Sequence, residues 1–178
     1  PWHDKLRQYA RDEVKSDYLW TRPSKRLIAD GIYLPSEQPE DGISKAVVVK
    51  DTSGSISSYP ELLKKFGGEI SSMLEEGLIE EMYVLDVDTE VKSVQLLTKE
   101  DTPLGELGVS GGGGTLFEPA FDWVEENNIN PSLFIYLTDM YGSFPDKPPN
   151  YPVIWVAYGS SAEWYRDQCN FGEIIEVN

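Results

Sequence analysis

The chain has 178 residues, 40% of them hydrophobic, and a formal net charge of −16. This length suits a single domain with a hydrophobic core of its own. The excess of negative charge opposes the binding of polyanions, so we expect no nucleic-acid partner and no acidic membrane surface. No stretch approaches the ~20 consecutive apolar residues that a membrane-spanning helix needs.

Cysteine occurs once, at Cys169, so neither an internal disulfide nor a cysteine-based zinc cluster can form within the chain. Without a disulfide framework we expect a reducing compartment, the cytoplasm. The first residues show no signal-peptide pattern. Because the chain begins with Pro1 rather than Met, we expect a fragment of a longer protein. Nothing in the sequence indicates the oligomeric state.

The first residues predict a helix followed by irregular chain. Apolar residues recur at helical spacing at Leu6, Tyr9, Ala10 and Val14. Residues 18–26 mix aromatic and basic side chains, and residues 35–42 are rich in Pro, Glu and Asp, so both stretches predict irregular structure. We therefore predict a helical and irregular arm over residues 1–42, packed on a main domain that spans residues 43–178.

From Lys45 onward, short apolar runs alternate with amphipathic segments. The apolar runs predict six strands, over residues 46–49, 82–85, 91–97, 133–137, 153–157 and 174–177. The third strand is expected to pair with the second or to lie at an edge. Helices are predicted from Leu62 to Leu74 and from Phe117 to Val124, where apolar residues share one face. The alternation predicts an α/β fold with a mostly parallel sheet and helices on both faces.

Three polar clusters are expected at the carboxyl ends of the strands, where parallel sheets bind their ligands. Asp51-Thr52-Ser53-Gly54-Ser55 follows the first strand, Thr115 follows four glycines, and Thr138-Asp139 follows the fourth strand. Carboxylate and hydroxyl oxygens are the ligands that Mg²⁺, Mn²⁺ and Ca²⁺ prefer. Alternate positions in the first segment allow one loop to direct three oxygens at a single point. We therefore predict a divalent metal site formed by Asp51, Ser53, Ser55, Thr115 and Asp139.

This pattern resembles the metal-ion-dependent adhesion site of the von Willebrand factor A (VWA) family, which reads Asp-x-Ser-x-Ser, then Thr, then Asp. The resemblance implies a Rossmann-like fold in which Ser53, Ser55 and Thr115 contact Mg²⁺, Mn²⁺ or Ca²⁺ through their hydroxyls. It implies that Asp51 and Asp139 act directly or through bound water. In the family, one coordination position is left to water or to an acidic residue of a partner protein. The implied function is recognition of a protein partner, without catalytic residues.

A narrower resemblance covers nearly the whole chain. The chain is similar to the VWA-like domain at the C-terminal end of metallopeptidase-like proteins of bacteria and phages, on the segments 20–26, 33–35, 112–117, 138–142, 151–156 and 171–172. Peptidase chemistry would then belong to an upstream domain, because this chain has one histidine, His3, and no His-Glu-x-x-His motif. Lys50 departs from the expected apolar residue before Asp51. It either neutralises part of the site's charge or faces solvent.

Three alternatives remain open. The Asp51–Ser55 segment also suits a polar loop that caps the next helix, with Ser55 or Ser57 as the N-cap. Asp86-Val87-Asp88 resembles the Asp-x-Asp start of haloacid-dehalogenase-type phosphatases, in which the first Asp is a nucleophile and Mg²⁺ holds the phosphate. Glu90 departs from that pattern, and both acids also suit polar positions at a strand end near the metal site. The third alternative is a scaffold domain that has lost its metal.

Overall fold

A computed structural model describes residues 1–21, 45–52, 58–100, 116–159 and 165–177, with the side chains of the first helix described as far as residue 12. The elements in chain order are α1 (Trp2–Thr21), β1 (Lys45–Asp51), α2 (Pro60–Glu75), β2 (Glu81–Val87), β3 (Val91–Thr98), α3 (Glu118–Glu126), β4 (Leu133–Thr138), β5 (Val153–Ala157), a 3₁₀ turn (Arg166–Gln168) and β6 (Glu173–Glu176). In these ranges we find no helix whose length and apolar character would let it cross a membrane.

The six strands form one sheet in the order β3-β2-β1-β4-β5-β6. All neighbouring strands are parallel except β2 and β3, which form an antiparallel hairpin with β3 at the edge. The predicted mostly parallel α/β sheet is therefore confirmed. The chain places β2 and β3 on one side of β1 and β4 to β6 on the other. The strand order thus reverses between β1 and β4, where sheets of this kind leave a crevice for ligands.

The sheet has a hydrophobic core on each face. Val48, Ile135 and Val156 belong to the core on the α1 and α2 side. Val47 and Trp155 belong to the opposite core, under α3. Because successive side chains of a strand point to opposite faces, a strand buried on both sides needs an uninterrupted apolar run. This explains why the sequences of β1, β4 and β5 do not alternate with polar residues.

Helix α1 packs on the sheet and on α2. Leu6 and Ala10 are fully buried in the core on that side, and Arg7 forms an ion pair with Glu69 of α2. The helix continues through Thr21, so the predicted irregular structure at residues 18–21 is wrong. These residues include no glycine or proline, and the first helix-breaking residue is Pro23. Residues 22–26 and 35–42, and the predicted domain boundary at residue 42, lie outside the described residues.

An aromatic layer fills the core beneath α3. The rings of Tyr136 and Trp155 stack at 5.2 Å between centroids, and Phe117 meets them edge-on at 5.2 and 5.4 Å. Phe121 of α3 stacks on Phe134 at 4.6 Å. Such pairs contribute about 0.5–1.5 kcal/mol each beyond their burial. Phe117 thereby anchors the start of α3, directly after the glycine-rich stretch of the sequence.

The close contact between β5 and the turn before β6 predicts that substitutions at Gly172 lower stability. Gly172 has a φ of +83°, and a methyl group there would lie 2.8 Å from Trp155 Nε1 and from the Val153 carbonyl oxygen. We expect Gly172→Ala to lower the free energy of unfolding by about 1–3 kcal/mol. Gly68 of α2 meets no atom within 4 Å, so Gly68→Ala should raise it by about 0.5–1 kcal/mol. Urea unfolding followed by tryptophan fluorescence measures the free energy of unfolding of both variants. If the two variants were equally stable, the packing of Gly172 against β5 would be contradicted.

Candidate metal site

The first predicted ligand, Asp51, ends β1 in a buried position. Its side chain has no exposed surface, and its Oδ2 accepts a hydrogen bond of 2.8 Å from Thr138 Oγ1 on the neighbouring strand β4. The pairing of Lys50 with Leu137 in the β1–β4 ladder sets this register. A buried carboxylate requires such donors, because its charge has lost the solvation of water. The structure therefore places Asp51 at the reversal of strand order.

The last predicted ligand, Asp139, lies in a tight turn directly after β4. Its Oδ1 accepts a hydrogen bond of 3.0 Å from the Tyr141 N–H, while the Met140 N–H donates to Thr138 Oγ1 at 3.1 Å. Met140 adopts a φ of +67° with its side chain buried, a conformation that residues other than glycine rarely adopt. The turn holds the half-buried Asp139 at the same sheet edge as Asp51.

Thr138 is a site residue that the predicted ligand set did not include. Its hydroxyl donates to Asp51 and accepts from the backbone of Met140, so it connects the ends of two strands. The sequence carries a signal for this role, since Thr138 is a polar residue that directly follows the buried apolar run 133–137. The sequence alone could not assign its partner, because the β1–β4 register is a tertiary property.

The other three predicted ligands, Ser53, Ser55 and Thr115, lie outside the described residues. The start of the loop that contains the two serines is described. Thr52 is buried, and its N–H donates a hydrogen bond of 2.9 Å to the carbonyl oxygen of Val87. This bond fastens the beginning of that loop to the end of β2, beside Asp51.

The chain that follows Thr115 is fastened to the same edge. The Leu116 N–H donates to the Asp88 carbonyl oxygen at 2.9 Å, and the Phe117 N–H donates to the Ser143 carbonyl oxygen at 3.2 Å. These acceptors follow β2 and β4 respectively. The chain thus enters α3 close to the ends of β2 and β4, the two strands that flank β1.

The described residues near Asp51 are chemically suited to a hard divalent cation. Thr52 Oγ1 and the Tyr136 hydroxyl are buried and have no hydrogen-bond partner among the described residues. Burial, then the charge of Asp51, then Tyr158, raises the pKa of Tyr136 well above its ordinary value, so its phenol stays protonated. Two carboxylates beside hydroxyl groups are the oxygen ligands that Mg²⁺, Mn²⁺ and Ca²⁺ take.

Within the described ranges no group of three or more His, Cys, Asp or Glu side chains could hold a metal ion. The predicted set contains two carboxylates, Asp51 and Asp139. Its other three members are hydroxyls that lie outside those ranges. The predicted set is therefore of a mixed carboxylate and hydroxyl type, and differs from a cluster of acidic or histidine ligands.

Comparison with known protein families agrees with this architecture. The sequence profile of the VWA-like domain family (DUF2201) matches residues 46–178. The chain belongs to this VWA-like family. The profile spans β1 to the chain's last residue, and so includes all five predicted ligands. No curated protein matches the domain significantly in sequence.

The VWA-like domain is similar to a solved structure, the crystal structure of the ArnB paralog VWA2 from Sulfolobus acidocaldarius. The TM-score is 0.54 at 16% sequence identity, and the alignment covers 82% of this chain and 44% of that chain. This chain thus spans less than half of the length of that protein, and the likeness concerns the fold alone. The Rossmann-like VWA fold implied by the resemblance is confirmed. The association with a metallopeptidase-like domain stays a prediction.

Lys50 of the VWA-like domain is buried, with 4% of its surface exposed, so the alternative that it faces solvent is wrong. Its Nζ lies 2.9 Å from Asp86 Oδ1 across the β1–β2 pair, and Asp86 Oδ2 accepts a hydrogen bond of 3.0 Å from Ser93 Oγ. A buried ammonium is tolerated only with a close counter-charge. Because side chains alternate along a strand, this pair lies on the opposite sheet face from Asp51.

Asp88 closes the hairpin between β2 and β3. Its carboxylate accepts hydrogen bonds from the backbone N–H groups of Thr89 and Glu90. Burial acts to raise the pKa of Asp88, but these donors and then Lys92 lower it below its ordinary value. Asp86 is engaged in the ion pair and Asp88 in this turn. Both acidic residues of the phosphatase alternative therefore have structural partners in the VWA-like domain.

The buried ion pair predicts a strong coupling between Lys50 and Asp86. Lys50→Met or Asp86→Leu alone leaves one buried charge without its partner, and should lower the free energy of unfolding by about 3–5 kcal/mol. The double variant removes both charges and adds apolar contacts, so it should lose much less. A double-mutant cycle from urea unfolding measures the coupling. A double variant whose loss equals the sum of the single losses would contradict this prediction.

The hydrogen bonds of Thr138 predict a second stability effect. Thr138→Val keeps the shape of the side chain but removes the donor to Asp51 and the acceptor of the Met140 N–H. We expect the free energy of unfolding to fall by about 1–3 kcal/mol, the cost of leaving buried polar groups unsatisfied. Thr138→Ser, which retains the hydroxyl, should lose less in the same urea experiment. If Thr138→Ser lost more stability than Thr138→Val, the methyl group of Thr138 would contribute more than its hydroxyl, and the prediction would be wrong.

Proposed function

We propose that this VWA-like domain binds Mg²⁺, or Mn²⁺ or Ca²⁺, and thereby docks an acidic side chain of a partner protein, without catalytic residues of its own. Its ligands would be Asp51, Ser53, Ser55, Thr115 and Asp139. One observation carries the proposal. The fully buried Asp51 carboxylate lies at the reversal of strand order and is held by Thr138, directly beside Asp139 in the chain.

The burial of Asp51 supports a cationic ligand. An ionised carboxylate without exposed surface needs compensation for its lost hydration. The Thr138 hydroxyl provides part of that compensation, and a divalent cation beside the carboxylate would provide more. Thr52 Oγ1 and the Tyr136 hydroxyl, which have no hydrogen-bond partner among the described residues, add further oxygen atoms to the surroundings of Asp51.

The residues of the chain would orient the site rather than react. Thr138 holds the Asp51 carboxylate in one direction, and the N–H of Tyr141 holds that of Asp139. A bound cation would supply a positive ligand-binding position on a strongly negative protein. Since the chain carries a net charge of −16, an acidic partner is repelled unless a cation intervenes. The docking is therefore expected to depend strictly on metal.

The cellular setting completes the proposal. The single cysteine fits the cytoplasm, and the resemblance to metallopeptidase-associated VWA-like domains fits a recognition module next to an upstream catalytic domain. In that arrangement the metal site would select a protein for the neighbouring domain. Peptidase chemistry would stay outside the present chain.

Calorimetric titration of the chelator-stripped domain with Mg²⁺, Mn²⁺ and Ca²⁺ tests metal binding. We expect saturable binding by the parent, weakened at least tenfold (about 1.4 kcal/mol) in Asp51→Asn. Asp167→Asn is the matched control, because Asp167 is an exposed carboxylate of the 3₁₀ turn that should leave the affinity unchanged. Equal affinity of Asp51→Asn and the parent would refute the site.

The same proteins separate the alternatives. A domain that neither binds metal nor changes its unfolding midpoint with chelator would support the metal-free scaffold. Turnover of an aryl phosphate that is lost in Asp86→Asn would support the phosphatase. If the domain binds metal, a Glu-containing peptide titrated with Mg²⁺ and again with chelator tests the docking step, which should occur only with Mg²⁺.

A further inference from the structure

A long groove lies between α3 and the loop that joins β4 to β5. Its volume is about 690 Å³, and it is lined by α3 on one side and by residues 145–151 on the other. The lining extends from Glu118 at the start of α3 to Asn128 beyond its end, a length of about 15 Å at 1.5 Å per residue. The opposite wall contains three prolines, which restrict its backbone. We call this feature the α3 groove.

The α3 groove carries a concentrated negative charge. Glu118, Asp122 and Glu125 recur at positions i, i+4 and i+7 and so share one face of the helix. Asp146 lies on the opposite wall, and Lys147 is the one basic residue of the lining. Within the described residues, none of these four carboxylates forms an ion pair or a hydrogen bond. A cleft lined by one sign of charge focuses its potential on a ligand of opposite charge.

The groove also has an aromatic surface. The half-buried ring of Tyr151 stacks on Phe134 at 5.6 Å between centroids, and the largely buried Phe121 also lines the groove. Burial, and then the charge of Glu125, raises the pKa of Tyr151 above its ordinary value. The Glu125 carboxylate thus lies close enough to Tyr151 to act on its hydroxyl electrostatically. Acidic residues scattered over a solvent-exposed surface would not be expected to lie beside aromatic side chains in a groove.

Lysine and arginine side chains match both features at once. Their aliphatic stems pack on apolar and aromatic surfaces while their charged ends reach carboxylates or the face of a ring. Along α3, Glu118 and Asp122 are about 6 Å apart. In an extended peptide, alternate side chains on one side are about 6.6 Å apart. A groove of about 15 Å accommodates four to five extended residues.

We propose that the α3 groove binds an extended segment of a partner protein that carries Lys or Arg at alternate positions. This site is separate from the proposed metal site and selects the opposite charge. The metal edge would take an acidic side chain, whereas the α3 groove takes a basic segment. Two surfaces of opposite preference on one domain would orient a partner that carries both kinds of charge.

Fluorescence anisotropy with a labelled Lys-Ala-Lys-Ala-Lys peptide tests the proposal. The Asp122→Asn/Glu125→Gln variant should weaken its binding at least tenfold. The matched control, Asp167→Asn/Glu100→Gln, changes net charge equally at exposed positions outside the groove and should keep the affinity within about twofold. All four positions are exposed, so folding should be preserved, which circular dichroism verifies.

Specificity is measured with a Lys-Lys-Lys-Ala-Ala peptide and with spermine. Both should bind at least fivefold more weakly than the alternating peptide, and Tyr151→Leu should weaken the alternating peptide several-fold. If the groove variant and the control variant lost affinity equally, or if spermine bound as tightly as the alternating peptide, the groove would be a non-specific acidic surface. Either result would overturn the proposal. No binding by the parent would overturn it as well. The parent domain should bind the alternating peptide equally well with chelator and with Mg²⁺, so failure of the metal site and failure of the groove are distinguishable.

Discussion

A hydrogen bond between two central strands joins the fold of this domain to its candidate site. Thr138 Oγ1 donates to Asp51 Oδ2 where β1 and β4 end, and the same oxygen accepts from the backbone of Met140. The β1–β4 register therefore fixes both the orientation of the Asp51 carboxylate and the turn at Met140. The unusual backbone of Met140 costs about 1–3 kcal/mol, and the hydrogen bond and the buried side chain hold it in place.

The end of β1 contains two consecutive buried charges of opposite sign. Asp51 points to the α3 side of the sheet, and Lys50 points to the α2 side, where Asp86 balances it. Each charge costs several kcal/mol to remove from water, and the strand tolerates them because each has its own polar partner. The apolar residues before them bury the strand on both faces, and the two charges lie at the strand end where the metal site is proposed.

The fold shows that the acidic residues of the chain have different structural roles. Negative charge in the sequence argues against nucleic-acid binding, but it does not distinguish solvated charges from recognition surfaces. The fold distributes the carboxylates among different structural environments. Asp51 is buried at the proposed metal edge, Asp86 balances a lysine, and Glu118, Asp122 and Glu125 share one helix face along a groove.

The sequence by itself determined the strands, the apolar helix faces and the mostly parallel sheet. It also determined that Asp51 and Asp139 lie at the same edge of that sheet. These follow from local apolar runs and from the rule that parallel strands end together. It did not determine the role of Thr138, the partner of Lys50 or the α3 groove. Those features depend on strand register and on packing between elements distant in the chain. Local propensity carries no information about which distant side chain will occupy a neighbouring position, so only the tertiary structure could decide them.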